Sequence, residues 1–281
     1  MTTVGPVSLT VADLSRCLAF YTERLGFSVR TEEFGTARLG AGGSDLLVLV
    51  ERQGARRATG STGLFHLAVL LPSREALARS LARLADTRTP LQGAADHLVS
   101  EALYLADPEG NGIELSRDRP REEWIWENGA IRMTTDPLDL QALLEEGLAI
   151  GSAWRGLPDA TVLGHVHLRV AEIAPAERFY CDLLGFDLTT RYGTMASFVS
   201  MGGYHHHIAF NTWGGIGAPH APDGAAGLRE FVVHVPGPGE FERVLARARA
   251  AGLPVGPGNV VRDPSGNAVR LVPQGTPAHY G

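Results

Sequence analysis

The chain has 281 residues, a mass of 30.0 kDa, a formal net charge of -6 and 44% hydrophobic residues. This acidic balance, without a run of Lys and Arg, argues against a nucleic-acid partner. No apolar run approaches the ~20 residues that cross a bilayer, and no basic segment followed by an apolar signal core opens the chain, so a cytoplasmic protein without membrane contacts is expected.

Segments of the first half recur in the second half. Residues 5–27 align without a gap with 164–186, the run from Gly63 matches the run from Gly227, and DPEGNGIEL from Asp107 matches DPSGNAVRL from Asp263. Such internal repeats indicate duplicated structural units. They predict four modules, at residues 1–60, 61–118, 161–223 and 224–281.

Each module shows the same order of predicted elements. Alternating apolar and polar residues open it, as at 166–170, which is typical of a half-buried strand. A helix follows, with Phe179 and Tyr180 on its apolar face and Gly185 at its end. Short strands separated by Gly, Asp-Pro and Asn turns complete the module. The pattern is β-α-β-β-β, which predicts an α+β fold.

Residues 119–160 fall outside the repeat. This connector is rich in charged residues, contains Pro120, Pro137 and Pro158, and includes one predicted helix, PLDLQALLEEGLA. Prolines and charges mark an exposed boundary segment. We therefore divide the chain here into two pairs of modules.

The four modules, with Phe-Tyr after the first strand and a DPxGNxIEL ending, resemble the vicinal oxygen chelate superfamily. Glyoxalase I, fosfomycin-resistance enzymes, extradiol dioxygenases and metal-free binding proteins share that fold, so the fold alone does not name the chemistry. The resemblance implies that two modules combine into one cup-shaped mixed sheet with its helices outside. It also implies that metal ligands come from the first and last strands of each module.

Carried onto this chain, the first-strand and last-strand positions are Pro6 and Leu47, His66 and Glu114, His165 and His207, and Glu230 and Arg270. If adjacent modules paired, each cup would hold only part of the ligand set. Arg270 would then lie opposite His165 and would repel a metal cation. Pairing of modules 2 and 3, and of 1 and 4, instead brings His66, Glu114 and His165 together. We predict this crossed pairing, and an ion pair of Glu230 with Arg270 in the other cup.

Two imidazoles and one carboxylate are the ligands of a facial Fe(II) triad, which leaves positions open for other molecules. With this triad the chain resembles the catechol 2,3-type extradiol dioxygenases, oxidoreductases of aromatic hydrocarbon catabolism. The resemblance implies that Fe(II), or alternatively Mn(II), is the cofactor. A catechol or related dihydroxylated aromatic and O₂ are the implied substrates, and a homodimer is the oligomeric state expected from the family.

Further residues match the extradiol enzymes. The resemblance implies an acid/base role for His206, hydrogen bonding to the metal-bound oxygens for Tyr104, and a substrate contact for His97. Strand alternation would instead send His205 and His207 into the cup, unless a bulge intervenes. His207 is therefore an additional candidate, and His167 either lines the cup or supports His165.

Two other functions fit the same fold. A glyoxalase-type isomerase or lyase would use His207 as a fourth protein ligand and would need no O₂. A metal-free small-molecule binding protein would bind an aromatic ligand without iron. The complete His66, Glu114 and His165 set makes the metal-free binding protein the least favoured of the three functions.

Overall fold

The computed structural model describes residues 3–127, 130–151 and 153–276. Residues 1 and 2 of the first predicted module and 277–281 of the last lie outside this part. The strands are β1 Thr3–Val11, β2 Ser28–Glu33, β3 Thr36–Ala41, β4 Ser44–Glu51, β5 Gly63–Leu70, β6 Gly93–Asp96, β7 Ser100–Ala106, β8 Gly112–Asp118, β9 Trp126–Glu127, β10 Ala130–Ile131, β11 Val162–Arg169, β12 Asp187–Tyr192, β13 Ala196–Ser200, β14 Ile208–Asn211, β15 Gly227–Val235, β16 Val260–Arg262 and β17 Ala268–Pro273.

The α-helices are α1 Leu14–Ala19, α2 Arg74–Asp86, α3 Leu140–Ala149, α4 Ile173–Glu177 and α5 Gly237–Ala250, with a 3₁₀ turn at Arg121–Glu123. Both α1 and α4 continue into a π-helical turn, at Phe20–Arg24 and Arg178–Leu183. No helix in the described part of the chain is long and apolar enough to cross a membrane.

The fold is mixed α+β with two curled sheets. The seven-stranded sheet has the order β16-β17-β15-β1-β4-β3-β2, and the eight-stranded sheet has the order β12-β13-β14-β11-β5-β8-β7-β6. One sheet thus takes its strands from residues 3–51 and 227–273, and the other from 63–118 and 162–211. The boundaries of the four modules stay a prediction.

The last quarter of the chain departs from the β-α-β-β-β order, because between α5 and residue 276 the structure has only the two strands β16 and β17. Residues 253–259 read LPVGPGN and form turns that close with a bridge between Gly256 and Val260. Pro254 and Pro257 have no N–H group to donate to a strand ladder, so a further strand is not formed here.

By their internal contacts the residues form two compact units. The described residues of 11–54 and 66–163 form the N-terminal unit, and those of 1–10, 55–65 and 164–281 form the C-terminal unit. In the N-terminal unit β5 pairs in parallel with β8, and β7 pairs antiparallel with β8. In the C-terminal unit β11 pairs in parallel with β14, and β15 with β17.

Amphipathic helices cover one face of these strands. In α2 the residues at helical spacing are buried, including Leu77, Leu81 and Leu84, and the Ser73 side chain accepts a hydrogen bond from the Ala76 N–H at 3.2 Å. The connector helix α3 packs against α2, where a Cβ on Gly147 would lie 2.2 Å from the Ala78 carbonyl oxygen. Glycine is required for this close approach.

A buried tyrosine–aspartate hydrogen bond recurs in both units. Tyr21 Oη donates to Asp107 Oδ2 at 3.0 Å, and Tyr180 Oη donates to Asp263 Oδ2 at 3.0 Å. Both tyrosines belong to the repeated Phe-Tyr pairs and are fully buried. Each bond therefore links the π-helical turn after a first strand to the Asp-Pro turn before the last strand.

Replacing either buried tyrosine by phenylalanine removes one of these bonds without removing the ring. Tyr21→Phe and Tyr180→Phe should each lower the free energy of unfolding by about 1–2 kcal/mol, because a buried carboxylate loses a donor. Urea unfolding followed by circular dichroism measures this change. The control is Tyr192→Phe, because Tyr192 is 63% exposed. Equal stability of all three variants would contradict the interpretation.

Candidate metal centre

The carboxylate of Glu114 lies beside the imidazole of His66 on neighbouring strands. Parallel pairing of β5 and β8 sets Ala68 opposite Glu114 and His66 opposite Gly112. His66 Nε2 lies 3.2 Å from Glu114 Oε2, and the two side chains are 8% and 3% exposed. A carboxylate taken out of water at this depth requires partners, because its charge is otherwise costly to bury.

Tyr104 is the second neighbour of Glu114. Antiparallel pairing of β7 and β8 sets the two residues directly opposite each other. Burial, the Glu114 charge and a hydrogen bond to Glu114 raise the pKa of Tyr104 well above its usual value. The phenol therefore stays neutral and keeps its proton.

His97 contacts the same phenol from the loop before β7. Its Nε2 lies 2.6 Å from Tyr104 Oη, and its Nδ1 lies 2.6 Å from the carbonyl oxygen of Thr134 in the connector. A carbonyl can only accept, so His97 carries a proton on Nδ1. The connector thus fixes the imidazole, because Asp136 also exchanges two backbone hydrogen bonds with Asp96.

His165 is buried on β11, and the ring of His206 packs beside it. Their ring centroids lie 4.1 Å apart, against 6.4 Å from His165 to His205. His205 Nδ1 and His206 Nδ1 lie 2.8 Å apart, so one donates to the other. Strand β14 begins only at Ile208, and the alternation of strand side chains does not extend back to residues 205–207.

His207 takes a different place from its neighbour His206. Its Nδ1 accepts a hydrogen bond from the Met201 N–H at 3.2 Å, and its ring centroid lies 4.8 Å from that of Tyr204. The ring of Phe186 lies 6.5 Å away. His207 therefore closes the turn that precedes β14.

His167 follows His165 on the same face of β11. Asn211 Oδ1 accepts from the Trp213 N–H at 3.0 Å, so the amide nitrogen of Asn211 faces His167 Nε2, 2.8 Å away. His167 Nε2 is thus an acceptor. Its ring packs against those of Phe65 and Trp213, with centroids at 5.0 and 5.4 Å.

His66, Glu114 and His165 together form a group that could hold a metal ion. Each offers one ligand atom, these atoms all lie within 4.8 Å of one another, and all three residues are buried. Two imidazole nitrogens and one carboxylate oxygen suit divalent first-row metals. The donor set therefore fits a divalent cation.

The equivalent positions of the seven-stranded sheet hold a closed ion pair. Arg270 Nε and Nη2 donate to the two carboxylate oxygens of Glu230 at 2.7 and 2.9 Å. Two parallel bonds satisfy the carboxylate and bring a fixed cation into the site. Such a pair disfavours a metal there, as the sequence predicts.

The repeats, the two curled sheets and this donor set define a family. The model of the Glyoxalase/Bleomycin resistance protein/Dioxygenase superfamily matches residues 3–115 and 162–271. The chain belongs to this superfamily.

A curated relative narrows the class. The chain is 42% identical over 259 residues to a catechol-2,3-dioxygenase of Bacillus subtilis (strain 168), covering 90% of both chains. Within its superfamily the chain is thus an enzyme of the extradiol dioxygenase type.

Solved structures show the same fold at low sequence identity. A proposed dioxygenase of Bacillus subtilis superposes with a TM-score of 0.65 at 14% identity, covering 98% of this chain and 86% of that one. Glyoxalase I of Zea mays superposes with a TM-score of 0.56 at 16% identity, covering 97% and 92%. These likenesses concern the fold alone.

Proposed function

We propose that the chain is an Fe(II)-dependent extradiol dioxygenase that cleaves a catechol or related dihydroxylated aromatic next to the diol. The observation that carries the proposal is the buried group of His66, Glu114 and His165, with ligand atoms within 4.8 Å. Fe(II) held there would supply the redox chemistry that joins O₂ to an aromatic diol. Mn(II) suits the same ligands.

Tyr104 and His97 are proposed to hold a proton beside the metal ligands. The Tyr104 hydroxyl has one proton and two neighbours, Glu114 and His97 Nε2, that can accept it. Donation to His97 leaves that imidazole neutral, whereas donation to Glu114 requires His97 to be protonated on both nitrogens. The trio can therefore keep a proton available near a bound diol.

His206 is proposed as the acid/base residue. Its ring lies 4.1 Å from that of His165, and His205 bonds its Nδ1 and so orients it. An imidazole changes protonation near neutral pH, which suits proton transfer with a substrate hydroxyl. The glyoxalase-type alternative would need His207 as a ligand, and the bond from the Met201 N–H to its Nδ1 disfavours that role.

The metal ligands are tested by metal content. Glu114→Ala should lose most of the iron that the wild-type chain binds after anaerobic loading with Fe(II), because the carboxylate is the anionic ligand. Glu230→Gln is the matched control, since Glu230 is a carboxylate of the other sheet and should leave the iron content unchanged. Iron is measured colorimetrically after desalting. Full iron in Glu114→Ala would exclude this ligand assignment.

The reaction is tested with an oxygen electrode. Iron-loaded protein mixed with catechols in air should consume one O₂ for each diol and form a yellow ring-opened product. Bound iron without O₂ uptake on any of the catechols would favour a glyoxalase-type isomerase or lyase instead. Absence of bound metal after loading with Fe(II) would favour a metal-free binding protein.

Variants of His206 and His207 distinguish a role in proton transfer from a structural role. We expect His206→Ala to lower kcat by roughly 10²- to 10⁴-fold while iron stays bound, since a positioned acid/base group contributes that much. His207→Ala should affect mainly thermal stability, because its ring closes the turn. Loss of iron from His207→Ala, with little effect of His206→Ala on kcat, would support the glyoxalase-type hypothesis.

The cytoplasmic location and the homodimer stay predictions. Size-exclusion chromatography with light scattering measures the oligomeric state directly.

A further inference from the structure

Strand β11 carries a cation on the same face as the candidate ligand His165. Side chains alternate along a strand, so His165, His167 and Arg169 share one face. Arg169 lies four residues beyond His165, about 13 Å along the strand. The cation therefore stands well beyond the reach of a metal-bound diol and closer to the far end of a longer substrate.

Aromatic rings hold the Arg169 side chain. Its guanidinium carbon lies 5.1 Å from the ring centroid of Phe65, and Nη1 donates to the Leu64 carbonyl oxygen. Phe65 in turn packs edge-on against His167 and Trp213, with centroids 5.0 and 5.2 Å away. His167, Phe65 and Trp213 thus form a row of aromatic rings, the ring wall, with Arg169 at its end.

The charge of Arg169 has no acidic partner within the described residues. Its side-chain hydrogen bond goes to a neutral carbonyl, and the charged group that acts on it is a second cation, Arg57. Burial and the Arg57 charge lower the pKa of Arg169, although an arginine remains protonated in proteins. A half-buried cation beside a second cation favours an anion in this place.

The surroundings of Arg169 are partly open. Trp213 is 46% exposed, and a Cβ on the next residue, Gly214, would come within 3.4 Å of the Arg169 stem. Asn211 bonds both the Trp213 N–H and His167, so the ring wall has a fixed position. The glycine leaves room beside the guanidinium.

We propose that Arg169 binds a carboxylate on a side chain of the substrate, so that the preferred substrates are catechols with a carboxyalkyl chain. This inference rests on the proposed dioxygenase function and names its substrate class. The planar guanidinium donates to both carboxylate oxygens, and the rings of Phe65 and Trp213 pack against the apolar part of the chain. Arg57 adds a second, exposed positive charge at the same place.

The test compares a charged and a neutral diol of nearly equal size, 3-(3,4-dihydroxyphenyl)propanoate and its primary amide. Wild-type, iron-loaded protein should give a higher kcat/KM for the carboxylate. Arg169→Met should lower the ratio of the two kcat/KM values by roughly 10- to 100-fold, because a charge-assisted hydrogen bond is lost. Arg169→Lys keeps the charge and should retain part of the ratio. Arg229→Met, at an exposed position of β15, is the matched control.

A binding measurement separates this inference from the reaction. Calorimetric titration of the iron-loaded protein with 3-phenylpropanoate and 3-phenylpropanamide needs neither a diol nor O₂. If the wild-type protein binds the anion more tightly than the amide and Arg169→Met does not, the carboxylate site is supported. Absence of diol cleavage in the oxygen-electrode assay would then refute only the proposed reaction. The inference would be overturned if the wild-type protein bound the anion and the amide with equal affinity, or if Arg169→Met left the ratio of the two affinities unchanged. Neither result would bear on the proposed ring cleavage.

Discussion

The buried bond between Tyr21 and Asp107, and its copy between Tyr180 and Asp263, is the constraint on which the site geometry depends. Asp107 also accepts from the Asn111 side chain and from the N–H groups of Glu109 and Asn111, so its carboxylate is saturated inside the core. Burial raises the pKa of this carboxyl, and the donors offset that cost. The turn that they fix leads directly into β8, the strand that carries Glu114.

Glu114 and Glu230 are buried or half-buried carboxylates at candidate ligand positions of the two sheets, and only Glu114 belongs to the candidate metal centre. Its neighbours His66 and Tyr104 contact the carboxylate, and neither of these two residues is a permanent cation like arginine. In the seven-stranded sheet, Arg270 binds Glu230 through two hydrogen bonds and leaves no such opportunity. Duplicated modules therefore share a framework while their ligand positions differ, and the chemistry follows the side chains rather than the fold.

Parts of this arrangement follow from local sequence patterns. The repeats and the alternating runs predicted the α+β class, and the DPxGN turns marked the ends of the modules. His66 and His165 stood out because they occupy equivalent first-strand positions of the repeat. Glu114 stood out at a last-strand position where the superfamily that the chain resembles carries metal ligands. The missing strand before β16 could have been anticipated from Pro254 and Pro257, whose lost N–H groups are visible in the sequence.

Other features depend on contacts between distant residues. Whether His206 or His207 lies nearer to His165 was open, since the alternation rule requires a strand and the strand begins only at Ile208. The hydrogen bond from His97 Nδ1 to the Thr134 carbonyl joins residues 37 positions apart, and Arg169 contacts Phe65 across 104 positions of the chain. The sequence by itself determined the repeat and the fold class, because these follow from local periodicity, and its resemblance to the superfamily indicated the candidate ligands. The tertiary structure placed His206 beside His165 and, within the described residues, set the Arg169 guanidinium against a neutral carbonyl and an aromatic ring. These contacts depend on side-chain packing between segments far apart in the chain.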